Sequence, residues 1–185
     1  MKSFLLIIFI GLASNVSSGE DPRFWDFNND GVEDVWYEDK EQKYIEYLDR
    51  NFDGKLDSVT TFDAHSNWIL GSQTDDDFDG KPETRHFYVN SQIHSTFIDS
   101  NGNDCSDIIH YYSYQVISKS LKVEASSKGK GSKITEVVYK FGFPEFSHTH
   151  VSEMSVCEFY EKELTKAPKR KPMPKIPSNS ELTSK

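Results

Sequence analysis

Short runs of β-branched and aromatic residues alternate with short polar breaks along residues 35–125. The runs come in pairs, such as "VWYED" followed by "YIEYL" and "RHFYV" followed by "QIHSTFI", with a few polar residues between the members of each pair. Residues of these types favour strands, and a short polar break between two strands favours a tight turn. The pattern predicts an all-β fold built as an array of short antiparallel β-hairpins.

Longer acidic stretches separate one predicted hairpin from the next. They start at Asp26, Asp49, Asp75 and Asp99, at spacings of 23, 26 and 24 residues. A nearly constant period of this size is typical of a small structural unit that is repeated along the chain. Each unit is expected to contain an acidic loop, a strand, a tight turn and a second strand, and the repeats are expected to fill residues 19–125.

The first three acidic stretches place oxygen-bearing side chains at regular positions. Position 1 is Asp, position 3 is Asn or Asp, position 5 is Asp, position 6 is Gly and position 9 is an acid. Calcium takes six to eight oxygen ligands in a flexible shell, the Gly permits a sharp turn, and a main-chain carbonyl at position 7 can bind whatever its side chain. The expected calcium ligands are Asp26, Asn28, Asp30, Val32 and Asp34 in loop one, Asp49, Asn51, Asp53, Lys55 and Asp57 in loop two, and Asp75, Asp77, Asp79, Lys81 and Glu83 in loop three.

The fourth stretch departs from this pattern. Asp99, Asn101, Asn103 and Asp107 keep oxygen at positions 1, 3, 5 and 9, but Asp104 stands where the other loops have Gly. Asp enters the left-handed conformation at some cost, and Asn at two ligand positions lowers the charge of the site. We therefore expect this fourth calcium site to be weaker than the others or empty.

Other interpretations of the loops are less favoured by the residues. Magnesium demands near-ideal octahedral geometry, and the first three loops lack the His and Cys that zinc prefers. Asp, Asn and Gly also form ordinary turns. A turn does not need acids at positions 1, 5 and 9, however, and repulsion between such carboxylates costs about 1 to 4 kcal/mol per close pair at an effective dielectric constant of about 20.

The loop D-x-[DN]-x-D-G-x-x-[DE], followed directly by a strand, resembles the calcium loops of integrin-type FG-GAP and VCBS repeats and of thrombospondin type-three repeats. The hairpin array over residues 26–114 also resembles repeat segments of secreted bacterial calcium-binding proteins. The resemblance implies side-chain ligands at positions 1, 3, 5 and 9 and a carbonyl ligand at position 7. The units are shorter than a propeller blade and lack the thrombospondin cysteines. At position 12, where an EF-hand loop has an acid, they carry Tyr37, Thr60 and His86.

The two ends of the chain lack the repeated pattern of acidic loops and hairpins. Lys2 and the apolar run "FLLIIFIGL" predict a signal peptide over residues 1–18, cleaved near Ser18 or Gly19, and the run is too short to span a bilayer. Residues 126–133 are expected to be a flexible linker, residues 134–164 a C-terminal strand segment packed on the repeats, and residues 165–185 a disordered, basic, Pro-rich tail. Residues 151–164 mix strand and helix spacings.

Cys105 and Cys157 are the chain's two cysteines. An exported protein favours a disulfide between them, and two buried reduced thiols are the alternative. The expected location is therefore secreted, periplasmic or otherwise extracellular, with no transmembrane segment.

Charge divides the chain and limits its partners. Residues 20–107 hold 22 acids and 7 Lys or Arg, a balance that argues against nucleic-acid binding. The expected function is a non-enzymatic calcium-rigidified scaffold or surface-interaction module for a protein or polysaccharide, with the basic tail available to an anionic surface. A secreted hydrolase or a carbohydrate-binding module, using the acids and the aromatic face, is the alternative, and no catalytic residue is assigned. His148 and His150 give only a weak zinc signal.

Overall fold

The computed structural model describes residues 23–127 and 131–168. These residues form one 11-stranded sheet in which every strand pairs with the next strand in sequence. The strands are β1 (Phe24–Trp25), β2 (Val35–Lys40), β3 (Lys43–Leu48), β4 (Ser58–Asp63), β5 (Ile69–Thr74), β6 (Thr84–Val89), β7 (Gln92–Ile98), β8 (Ile108–Ser113), β9 (Val116–Ala125), β10 (Ser132–Lys140) and β11 (Phe143–Ser152), and one helix follows, α1 (Val156–Leu164). All ten pairings are antiparallel, so the all-β prediction is confirmed.

The acidic loops lie at one end of this sheet. Consecutive antiparallel strands reverse direction, so their connections alternate between the two ends. The segments 26–34, 49–57, 75–83 and 99–107 are the first, third, fifth and seventh connections and share one end. The short turns at residues 41–42, 64–68, 90–91 and 114–115 occupy the other end. The topology thus gathers the candidate ligands along a single rim, which we call the acidic rim.

Four hairpins contain a β-bulge at the same place, close to their tight turn. The register shifts leave Leu70, His94, Ser118 and Glu145 without an opposite residue, whereas the pairing of β2 with β3 has no shift. A bulge bends its strand and increases the local twist. The sheet therefore bends along these hairpins rather than lying flat.

Most of the buried apolar side chains of the strands gather on one face of the sheet. Cross-strand pairing places Tyr47 opposite Val59 and Phe97 opposite Ile109, and both pairs belong to one row that crosses the sheet. The members of this row are Trp36, Tyr47, Val59, Gln73, Arg85, Phe97, Ile109, Leu121 and Glu136. Two buried clusters form on this face, one around Tyr47 and Val59 and a larger one around Phe97 and Ile109.

Helix α1 covers the larger cluster. Ser155 caps the helix, and its side chain and that of Glu158 form a capping box that satisfies two main-chain N–H groups. Phe159 and Tyr160 are buried against the sheet together with Glu163. The predicted C-terminal strand segment over residues 134–164 is therefore wrong at its end, where the chain is helical. The buried Glu163 breaks the apolar stripe that would have indicated this helix.

The boundaries around the last strands also differ from the prediction. Ser132 and Lys133 belong to β10 rather than to the expected linker over residues 126–133. Ala167 is 6% exposed and packs in the larger cluster, so the expected disordered tail does not begin at residue 165. Residues 128–130, residues 169–185 and the expected signal peptide over residues 1–18 lie outside the described residues. Across the described ranges, no helix is long and apolar enough to cross a membrane.

Three contacts fasten α1 to the rest of the molecule. Cys105 in the fourth acidic loop forms a disulfide with Cys157, which confirms that prediction. The Arg85 guanidinium donates to the Tyr160 hydroxyl, and the Tyr111 hydroxyl donates to the Glu163 carboxylate at 2.5 Å. The helix is thus tied both to the acidic rim and to the face of the sheet.

Candidate cation-binding loops

The four acidic loops share a backbone conformation. Positions 4 and 6 have positive φ in every loop: Asn29 (61°), Phe52 (63°), Phe78 (65°) and Gly102 (70°) at position 4, and Gly31 (88°), Gly54 (80°), Gly80 (94°) and Asp104 (65°) at position 6. The fourth loop differs from the others in residue type, because its Gly stands at position 4 and an Asp stands at position 6. The departure seen in the sequence therefore leaves the coiled backbone intact.

The carboxylate at position 1 organises each loop from within. The two oxygens of Asp49 accept hydrogen bonds from the N–H groups of Phe52 and Gly54, each at 2.7 Å. The equivalent bonds in the other loops run to Asp26 from Asn29 and Gly31, to Asp75 from Gly80, and to Asp99 from Gly102. The position 1 side chain is consequently fixed by main-chain donors from its own loop.

The side chains at positions 3 and 5 continue the same pattern. Asn51 accepts from the N–H of Asp53 at 3.0 Å, and Asp53 accepts from the N–H of Lys55 at 2.9 Å. Asn28, Asp30, Asp77, Asp79 and Asn103 make the matching bonds in the other loops. Val32, Lys55 and Lys81 at position 7 thus donate through their main-chain N–H groups, whatever their side chains, and the ligand role of their carbonyls stays a prediction.

The acid at position 9 closes each loop onto its second residue. The carboxylate of Asp34 accepts from the Phe27 N–H at 2.6 Å, and that of Asp57 accepts from the Arg50 N–H at 2.6 Å. Glu83 and Asp107 accept in the same way from Asp76 and Ser100, and Asp107 also accepts from the side chains of Ser100 and Asn101. Position 9 is thereby brought back to the start of the loop.

The third loop brings four carboxylates together. Oxygens of Asp75, Asp77, Asp79 and Glu83 all lie within 4.8 Å of one another. Within residues 23–127 and 131–168, no other three His, Cys, Asp or Glu side chains meet this distance. Carboxylate oxygens in such a group are the ligands that hard divalent cations prefer, so this cluster could hold a metal ion.

Burial disfavours the charged form of two carboxylates on the acidic rim, those of Asp57 and Glu83. Asp34, Asp49, Asp57 and Asp75 are at most 2% exposed, and Asp99 and Asp107 are also buried. Burial raises the pKa of Asp57, and the nearby charge of Asp49 acts in the same direction. Burial likewise raises the pKa of Glu83, with the charges of Asp75 and Asp77 adding to the effect. A bound cation would offset both causes.

Main-chain hydrogen bonds join each loop to the next. The N–H at position 1 donates to the carbonyl at position 9 of the preceding loop, from Asp49 to Asp34 at 2.7 Å and from Asp75 to Asp57 at 2.8 Å. Asp99 donates to Glu83 in the same way at 2.8 Å. Neighbouring loops are thus bonded at the residues that begin and end their candidate sites.

Arg50 adds a side-chain link between the second and third loops. Its guanidinium donates to the Asp75 carbonyl, lies 3.4 Å from the Asp76 carboxylate and sits 5.2 Å from the centre of the Phe78 ring. The acidic rim is therefore one bonded series rather than a set of separate loops.

The aromatic residues of the first hairpins pack mainly on one another. Tyr44 stacks on Phe62 with ring centres 4.6 Å apart, and Tyr37 lies 6.1 Å from Tyr44 and 5.6 Å from Trp25. These rings form cross-strand contacts that stabilise a sheet. His148 and His150 stack at 5.7 Å on the exposed strand β11, and they are not part of a group of three close metal-ligating side chains in the described chain.

Comparisons with known proteins add little to this geometry. No protein-family model matches the chain, and no curated protein matches it. Among solved structures, the crystal structure of accessory secretory protein 1, 2 and 3 in Streptococcus pneumoniae is similar over 67% of this chain and 22% of that chain, with 13% identity and a TM-score of 0.39. The matched part is thus about a fifth of that chain's length. At this TM-score the likeness assigns neither fold nor function.

Proposed function

We propose that the protein is an exported, non-enzymatic calcium-binding β-sheet protein whose ions rigidify the acidic rim. The observation that carries this proposal is the carboxylate group of Asp75, Asp77, Asp79 and Glu83, whose oxygens lie within 4.8 Å of one another. The hydrogen bonds of the other three loops support the same role, because they hold oxygens at the equivalent positions. Calcium suits this set better than magnesium because its shell is larger and more tolerant of geometry.

Calcium would act here as a folding element. Free energy gained on binding stabilises only the folded chain, since the unfolded chain has no formed site. Each independent site adds about 2.7 kcal/mol when free calcium is 100 times the dissociation constant. Extracellular calcium modules often bind at about 10⁻⁴ to 10⁻³ M, so the rim would stiffen outside the cell. The disulfide between Cys105 and Cys157 fits an oxidising compartment of this kind.

The stiffened sheet would serve as a scaffold that presents a surface to a protein or polysaccharide. The acids of the rim are used as ligands in this proposal, so they are not assigned to catalysis. The proposed sites use Asp26, Asn28, Asp30 and Asp34 in the first loop and the corresponding residues of loops two and three. The fourth loop, with Asn101 and Asn103, would bind more weakly because its oxygens carry less charge.

Calorimetric titration of calcium into the full chain tests the proposal. The wild type is expected to bind three or four ions. The variant Asp75→Asn/Asp79→Asn removes two charges from the third loop and is expected to bind one ion fewer. Asp39→Asn is the matched control, because Asp39 is an exposed acid on β2 and lies outside the loops. The absence of binding to the wild type at millimolar calcium would contradict the proposal.

A further inference from the structure

Strand β11 is a long sheet edge with little protection against pairing. It spans ten residues, Phe143–Ser152, and its outer side has no strand neighbour in the described sheet. Natural edge strands are guarded by charged residues, Pro or bulges. The residues of β11 that would prevent such pairing are Pro144 and the bulged Glu145, and both lie near its start. Residues 146–152, "FSHTHVS", contain no Pro, Lys, Arg, Asp or Glu.

Apolar side chains accompany this open edge. Phe143 is 75% exposed, Phe146 is 58% exposed and Val151 is 73% exposed. Phe146 and Val151 lie within residues 146–152, and at roughly 200 Å² for a Phe side chain they expose on the order of 200 Å² per copy there. Two copies that also buried the Ser, Thr and His side chains between them would reach about 1,000 Å², the area that a specific interface needs.

We propose that β11 pairs antiparallel with β11 of a second copy of this chain, so that two sheets continue through a twofold axis. The opposite edge is a poor partner for this strand because β1 has two residues, Phe24–Trp25. Self-pairing matches two edges of equal length, and it covers the same apolar side chains on both copies, as a twofold interface requires. Residues 146–152 of each copy form the pairing segment, which places His148 and His150 of both copies beside one another.

The proposal is independent of calcium, because β11 contributes no residue to the acidic rim. The mass of the full chain, produced in an export-competent host, is measured by sedimentation equilibrium across a wide range of protein concentration. A concentration-dependent monomer–dimer equilibrium is expected. Phe146→Lys/Val151→Lys introduces two charges per copy at the edge and is expected to weaken dimerisation by about tenfold or more. Val89→Lys is the matched control, since Val89 is 39% exposed at the end of β6, away from this edge.

A second measurement keeps the test informative if the double variant folds poorly. Amide hydrogen exchange of the wild type is expected to slow in residues 146–152 as protein concentration rises. A chain that stays monomeric throughout would overturn the proposal. So would a dimer whose strength is the same in the folded double variant as in Val89→Lys, or a dimer that gives no added protection to residues 146–152.

Discussion

Asp104 occupies a backbone conformation that the other three acidic loops assign to Gly. Its φ of 65° is left-handed, and an L-residue pays for this conformation through close approach of its Cβ to the backbone. Asp tolerates the region better than most residues, which explains how the fourth loop keeps its shape. Position 4 adopts the same region in every loop, yet it holds Asn, Phe, Phe or Gly. The residue type at position 4 therefore gave no usable signal in the sequence.

Substitution of Asp104 by Gly is expected to stabilise the metal-free chain by about 0.5 to 1 kcal/mol, because Gly adopts positive φ without the Cβ penalty. Gly102→Ala in the same loop is expected to cost about 1 kcal/mol for the converse reason. A Cβ at Gly102 would meet nothing within 4 Å, so its cost is conformational rather than steric crowding. Urea denaturation of both variants checks this prediction. Equal effects of the same sign would contradict it.

Glu83 gives a prediction for pH. Burial raises its pKa above the ordinary 4.5, with Asp75 and Asp77 adding to the shift. A raised pKa in the folded chain means that protonated Glu83 favours folding, and that this contribution is lost as pH rises through the folded pKa. Without calcium, the stability of the wild type relative to Glu83→Gln is expected to fall as pH rises from about 4 to 7.

At neutral pH and saturating calcium, the wild type is expected to be more stable than Glu83→Gln. The reason is that the ion binds the charged carboxylate of Glu83 more strongly than the amide of the variant. Thermal unfolding of the two proteins, with and without calcium, measures the difference at each pH. Asp39→Asn provides a control for loss of an exposed acid elsewhere. If the stability of the wild type and of Glu83→Gln changes with pH in the same way, the carboxylate of Glu83 does not interact with the charges of Asp75 and Asp77.

At the scale of elements, the strands were predictable and the helix was not. Runs such as "YIEYL" and "RHFYV" are rich in β-favouring residues and are bounded by polar breaks, and both form strands, β3 and β6. Helix α1 buries Glu163 beside Phe159 and Tyr160. A charged residue normally indicates the solvent-facing side of a helix, so the sequence pattern did not indicate that Glu163 faces the sheet. Two contacts account for its burial, because the Tyr111 hydroxyl of β8 and the Lys166 ammonium both donate to this carboxylate.

The contact between Tyr111 and Glu163 is expected to stabilise the docking of α1. Tyr111→Phe removes the hydroxyl that donates to a carboxylate only 3% exposed, leaving the bond from Lys166, and is expected to cost about 1 to 3 kcal/mol. Tyr112 is the matched control, because its hydroxyl accepts a longer bond of 3.3 Å from Thr96. Tyr112→Phe is expected to lower the free energy of unfolding by only about a few tenths of a kcal/mol, as loss of a weak hydrogen bond would.

Chemical denaturation of the two Phe variants tests this difference. In Glu163→Gln the second substitution Tyr111→Phe is expected to cost less than in the wild type, since the charge-assisted bond is already gone. Equal losses in Tyr111→Phe and Tyr112→Phe would indicate that the hydroxyl bond contributes nothing specific to the helix.

At the scale of the whole molecule, the topology concentrates negative charge. The 22 acids of residues 20–107 include those of four loops that share one end of the sheet. The sequence alone predicts the number of acids and their spacing. It does not predict that the four loops share one rim, because that depends on every strand pairing with its neighbour in order. Main-chain bonds between neighbouring loops then place the charges in a continuous series.

This concentration predicts two distinct responses to salt. Without calcium, added sodium chloride is expected to raise the melting temperature, because a Debye length of about 10 Å at 0.1 M begins to screen charges on neighbouring loops. Calcium at millimolar concentration is expected to raise it much further at the same ionic strength, because it binds between carboxylates rather than screening them. Once calcium is saturating, sodium chloride should have little further effect or lower the melting temperature by weakening ion binding. Melting curves at matched ionic strength separate the two responses, and magnesium chloride serves as the divalent control.

If calcium, magnesium and sodium salts act alike at equal ionic strength, the acidic rim responds to screening alone and its loops are turns rather than ion sites.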